Sequence, residues 1–203
     1  MSSWDHSRRG FTEAADWFVG TVGLVGERWA EPGLGEWDVR ALVGHASRSF
    51  LTVEEYLATP PTNVDLESTA DYYRATRAIA AGPGVAQRGR DAGAALGPDP
   101  AAAVAEISER VLRLVDGCDG GELLTTIAGG MRLVDYLPTR TFELVVHTAD
   151  LATALGESLE VPPTAGAQAL EVVTDLAIGE GTAGQLLLAA TGRGGLPTGF
   201  SVL

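Results

Sequence analysis

Glu143, His147 and Asp150 stand at spacings of four and three in the stretch ELVVHTAD. The surrounding segment, PTRTFELVVHTADLATALG, otherwise reads as a buried apolar helix. On a helix those spacings put all three side chains on one face, about one turn apart. Either that face meets water or it is built to hold something. An acid and an imidazole four residues apart let one helix offer two ligands to one metal ion, with their backbone positions roughly 6 Å apart along the axis. Of the three histidines, His6 belongs to a polar terminus, whereas His45 lies in a second apolar helical stretch. From a facing helix His45 can supply a third ligand. Two imidazoles and one carboxylate suit a catalytic zinc site that leaves a fourth position open. The competing reading is a ladder of charges, with Arg140, Glu143 and His147 pairing along a solvent-facing surface. Asp150 has three readings: it orients a ligand, it hydrogen-bonds a substrate group, or it is a helix-face carboxylate near solvent. Arg140 either steadies Glu143 or pairs with Asp135, a structural role in both cases.

These residues need helices to position them. Phe11, Ala15, Phe18, Val22, Val25 and Trp29 keep helical spacing, so a long first helix is expected from about residue 4 to 30. EPGLGEW reads as a loop, and Asp38 as the N-cap of a second helix carrying Leu42, His45, Ser49 and Val53 inward. Trp37, just before that cap, is expected to pack as a hydrophobic staple or loop anchor. A third helix is expected from about Thr69 to Ala81, broken by Gly82, Pro83 and Gly84 and resuming from Val85 to Leu96. Pro100 opens a fourth over PAAAVAEISERVLRLVD. The β-branched stretch around Gly129 and Gly130 suggests a small hairpin. Asp135 then opens the site helix, with Pro138 near its first turn and Gly156 closing it. One or two further helices fill the tail, before a Gly-rich end. The expected architecture is an all-α, up-and-down helical bundle: a metal-binding unit over residues 1–156, with residues 157–203 as a short extension packed on it.

Composition removes other functions. The net charge of −13, from 14 basic and 27 acidic residues, disfavours nucleic acid and anionic membranes as partners. Every basic residue is Arg, which excludes a Walker A loop and suggests a GC-rich, actinobacterial genome. No apolar run nears the roughly 20 residues of a membrane span, and the N-terminus has no signal-peptide core. A cytoplasmic protein is expected. The single cysteine, Cys118, cannot form an internal disulfide, and its acidic neighbours argue against a reactive thiolate. GEGTAG, from Gly179 to Gly184, fits the dinucleotide pattern by letter but follows a helix-like segment.

Two stretches carry a family resemblance. EWDVRALVGHASRSF resembles the W-x-V-x-x-L-V-x-H motif of the mycothiol-dependent maleylpyruvate isomerase family, and RTFELVVHTADLATALG resembles its second signature. The closing TGRGGLPTGFSVL is similar to the C-terminus of the shorter members. The family belongs to the DinB-like superfamily of four-helix bundles. Residues 58–118 show little to match. The resemblance implies that His45, Glu143 and His147 bind one divalent metal, usually zinc, and that the open position takes the thiol of mycothiol. It implies a transferase or isomerase acting on a small electrophile through a zinc-bound thiolate. Asp150, three residues past His147, is the candidate catalytic residue beside the ligands. Some members place a basic residue at the substrate, and Arg193 does not align securely with it. A thiol-independent metal enzyme of a biosynthetic pathway, or a non-catalytic small-molecule binder, would fit the same scaffold. The second substrate and the oligomeric state are not legible.

Overall fold

The structure is a computed structural model and describes residues 3–80, 82 and 84–203. It is all-α apart from two small hairpins. Four long helices form the bundle. α1 (Ser3–Gly23) and α2 (Val39–Leu57) each pack against α5 (Pro100–Asp116) and α6 (Leu133–Leu155). Outside this ring, α3 (Thr69–Ala80) lies on α6 and α4 (Val85–Ala95) lies on α2. The helix expected fourth is therefore the fifth. The expected end of the third at Ala81 and its break at Pro83 fall outside the described residues. α7 (Pro163–Gly179) packs on α1 and α6, and α8 (Ala183–Ala190) packs on α7. Among the described residues, no helix is long and apolar enough to cross a membrane.

The core forms where the helical stripes meet. Phe11 and Phe18 of α1 are fully buried and enclose Phe50 of α2, with ring centroids 5.9 and 6.1 Å from it. The first helix stops at Gly23, short of the expected residue 30. Gly26 takes a left-handed φ of 58° and turns the chain, so Val25 still reaches the core without a helix beneath it. Arg28 then donates to the carbonyls of Leu24, Val25 and Leu155, satisfying acceptors at the ends of both α1 and α6.

Both site helices are capped as their sequences require. Asp38 accepts the amide of Ala41 at 2.7 Å and starts α2. Gly156, with φ 73°, ends α6, its amide reaching the carbonyls of Ala152 and Thr153. α6 begins at Leu133, two residues before the expected Asp135, because the hairpin β3 (Leu123–Thr126) and β4 (Gly129–Arg132) feeds directly into it. Pro138 is therefore in the second turn and not the first. It removes the amide that would have bonded Val134, and Ser7 of α1 turns its hydroxyl to that carbonyl at 3.4 Å. EPGLGEW, expected as a loop, contains a short pair, β1 (Pro32–Leu34) with β2 (Trp37–Asp38).

Glycine sets the distance between α2 and α4. A Cβ on Gly44 would lie 2.1 Å from the Gly93 amide nitrogen, so the two backbones touch next to His45. Gly44→Ala should therefore cost about 1–3 kcal/mol in chemical denaturation. Gly20→Ala, with open space around it in α1, should be neutral or stabilise by up to about 1 kcal/mol. Equal effects at the two positions would contradict the close contact.

Candidate metal centre

His45 is presented by α2, and Glu143 and His147 by successive turns of α6. One ligand atom from each lies within 4.8 Å of the other two. The rings of His45 and His147 meet edge to face, with centroids 4.8 Å apart. His147 Nε2 stands 3.3 Å from Glu143 Oε2, and His147 Nδ1 stands 3.1 Å from Asp150 Oδ2. Both the ring and the carboxylate are mostly withdrawn from solvent, at 14% and 24% side-chain exposure. If Nδ1 carries a proton to Asp150, the Nε2 lone pair faces the carboxylate, and only a proton or a cation between them relieves that contact.

The surroundings set the charges. Burial pushes the Glu143 carboxyl up, but the His147 hydrogen bond, Arg140 and the Tyr73 hydroxyl outweigh it and bring the pKa down to about 2. Tyr73 from α3 donates to Glu143 Oε1 at 3.0 Å and lies 3.1 Å from the Thr139 carbonyl. Burial also works against charge on His147, yet its hydrogen bonds to Asp150 and Glu143 raise it to about 9. His45 goes the other way: burial first, then repulsion from His147, lower it to about 4, so the ring stays neutral. Its Nδ1 is buried with no hydrogen-bond partner among the described residues. A neutral imidazole with an unpartnered nitrogen, an ionised carboxylate and a second imidazole are a donor set suited to a divalent cation.

These three residues line a cavity of about 700 Å³ together with Trp37, Tyr72 and Arg140. The face they occupy meets this cavity, so the solvent-facing charge ladder does not form. Arg140 does not pair with Asp135, whose nearest cation is Arg132 at 4.0 Å. It is buried instead between the rings of Tyr72 and Tyr136, 5.5 and 5.0 Å from their centroids, and donates from Nε to Thr139 Oγ1. From there its positive charge still favours the Glu143 carboxylate. Trp37 acts as an anchor and not as a staple. Its indole nitrogen donates to the Ala86 carbonyl at 2.9 Å, and its ring lies 4.5 Å from that of His45.

Asp150 touches His147 and is not among the cavity-lining residues. Arg193 lies exposed in the tail, also away from the cavity. His6 is near Glu171, at 3.9 Å, on another part of the surface. Cys118 is remote as well, its thiol raised to about 11 by burial first and by Glu122 and Asp119 next. Tyr72, Tyr73 and Arg88 of the lining were not anticipated, because α3 and α4 carry no motif. Arg48 could have been found: it follows His45 by three residues, on the same face of α2.

A family model, the mycothiol maleylpyruvate isomerase N-terminal domain, matches residues 11–152, a span that holds His45, Glu143 and His147. Neither the curated proteins nor the solved structures compared with the chain gave a match.

In the metal-free protein, NMR titration of the imidazole rings should place His147 near pH 9 and His45 near pH 4. The raised value at His147 contributes stability that is fully present below the ordinary 6.5 and is lost as pH rises through about 9. The stability gap between wild type and His147→Gln should accordingly be widest below pH 6.5 and narrow towards pH 9. A gap independent of pH would contradict the charged ring.

Proposed function

Given that the chain belongs to the mycothiol maleylpyruvate isomerase N-terminal domain family, with its DinB-like helical fold, we propose that it is a metal-dependent, mycothiol-using transferase or isomerase acting on a small electrophile in the cytoplasm. The observation that carries this reading is the convergence of His45, Glu143 and His147 within 4.8 Å in the lining of one cavity. These three would hold the cation, zinc being the expected one, all within the unit of residues 1–156. When bound, such a cation supplies the positive charge that favours a thiolate over a thiol near neutral pH.

The chain's own residues prepare that position. Asp150 holds the His147 ring in one orientation through Nδ1, which makes it a positioning residue. Tyr73 and Arg140 keep Glu143 ionised. Trp37 covers one face of His45 and limits the approach of water. The reactive thiol has to come from a cosubstrate, since Cys118 is distant and its pKa is too high. A thiolate held here has two courses open to it. It can add to one carbon of an activated double bond, allow rotation about the resulting single bond, and leave again. It can instead displace a leaving group or open an epoxide and stay attached to the product.

Zinc-loaded protein incubated with mycothiol and an electrophile, read by mass spectrometry and by product isomer ratio, should show thiol-dependent turnover. His45→Ala and His147→Ala should each lose zinc and turnover together. Asp150→Asn should retain zinc with affinity weakened by about 10- to 100-fold. Equal zinc loss in all three variants would place Asp150 among the ligands. Absence of stoichiometric zinc in the wild type would leave a non-catalytic binding protein, and zinc without thiol-dependent turnover would leave a thiol-independent metal enzyme.

A further inference from the structure

Arginine is distributed unevenly in this acidic chain. Nine of its 14 Arg lie within 4.0 Å of a carboxylate among the described residues. The other five are Arg40, Arg48, Arg88, Arg140 and Arg193. Arg40 is engaged by the carbonyls of Gly93 and Gly97, and Arg193 lies near the Thr191 carbonyl in the tail. The remaining three, Arg48, Arg88 and Arg140, all line the cavity that holds His45, Glu143 and His147. Among the described residues Glu143 is the one acidic side chain in that lining, and His147 and Tyr73 already occupy it. The cavity is thus electropositive within a molecule of net charge −13.

Arg140 makes the point most sharply. It is 8% exposed, and only its Nε has a hydrogen-bond partner. The Tyr72 and Tyr136 rings offset part of the cost of burying the charge. Its terminal nitrogens, four N–H donors, have no acceptor among the described residues. Glu143 acts on this charge only from a distance, with no hydrogen bond between the two, so the donors facing the cavity are free to take an anion. The mouth of the same cavity is different in character. Ile79 of α3, Ile127 at the β3–β4 tip and Leu203 of the tail line it at 45%, 55% and 51% exposure. A small ligand that is polar throughout would leave these aliphatic groups uncovered.

We infer that the electrophilic substrate is an amphiphilic carboxylate, its anionic head bound by Arg48, Arg88 and Arg140 and its apolar body lying against Ile79, Ile127 and Leu203. This deepens the proposed function and rests on it for the identity of the site. Guanidinium groups match a carboxylate in shape and donor number, and loss of water from the aliphatic mouth holds the remainder of the molecule.

The test is calorimetric binding of three probes to zinc-loaded and to metal-free protein, with no thiol present. 4-Phenylbutyrate supplies head and body, 4-phenylbutanol the body alone, and succinate the charge alone. In both forms 4-phenylbutyrate should bind roughly tenfold or more tighter than either other probe. Arg48→Gln and Arg88→Gln should each erode the preference for acid over alcohol, and Arg48→Lys should restore part of it. Ile127→Ser should weaken acid and alcohol alike. Circular dichroism checks that each variant is folded, and Arg140, packed between two rings, is left intact. Equal binding of acid and alcohol would overturn the inference, as would succinate binding as tightly as 4-phenylbutyrate. So would a preference that survives the Arg variants but vanishes with the zinc, since the metal would then hold the carboxylate. Because no thiol is used, failure here with thiol-dependent turnover intact counts against the substrate class alone. Binding as expected without turnover counts against the mycothiol chemistry alone.

Discussion

A carboxylate and an imidazole held 3.3 Å apart on adjacent turns of α6 are the constraint around which this molecule is arranged. Burial opposes charge on both Glu143 and His147, so the pair persists only with help. Tyr73, Arg140 and Asp150 give that help from three directions, and each fixes one more element of the structure. Tyr73 ties α3 to the site. Arg140 orders the Tyr72 and Tyr136 rings, and the Tyr136 hydroxyl reaches Thr52 on α2. A well-packed apolar core at this level would cost less to form. Polar groups gathered at the centre of a helical bundle, with a cavity above them, reflect chemistry placed ahead of stability.

The third member of the cluster depends on a different contact. His45 comes from α2, whose neighbouring Gly44 touches the backbone of α4 at Gly93. That close approach brings Trp37, anchored on the Ala86 carbonyl, over the His45 ring. Burial then keeps the ring neutral, whereas His147, with two acids beside it, is charged in the absence of metal. Two histidines with ring centroids less than 5 Å apart thus carry opposite protonation preferences, set at His45 by burial first and at His147 by its two acids. Binding of a cation would require His147 to release its proton, so its affinity should depend on pH.

Local rules made part of this visible beforehand. The i,i+4 spacing of Glu143 and His147, the Asp38 cap and the Gly156 stop each act within one or two turns, so a linear reading reaches them. The DinB-like all-α fold followed from helical periodicity together with two motifs. Contacts between distant segments were beyond such a reading. Arg140 has Asp135 nearby in sequence, yet its partners are two aromatic rings, one of them from α3. α1 ends seven residues early because Val25 is buried from a turn and still obeys helical spacing. Pro138 sits deeper in α6 than its sequence suggests, and its lost hydrogen bond is made good by Ser7, more than a hundred residues away. Arg88 and the tyrosine pair come from residues 58–118, where no motif marked them, and only the fold brings them to the cavity.

Zinc K-edge X-ray absorption on the zinc-loaded protein, before and after addition of mycothiol, tests the proposed centre most directly. Two imidazole nitrogens and one carboxylate oxygen should appear at about 2.0–2.2 Å, joined by one sulfur at about 2.3 Å when the thiol is present. A shell with fewer than two imidazoles, or one that stays unchanged when mycothiol is added, would contradict it.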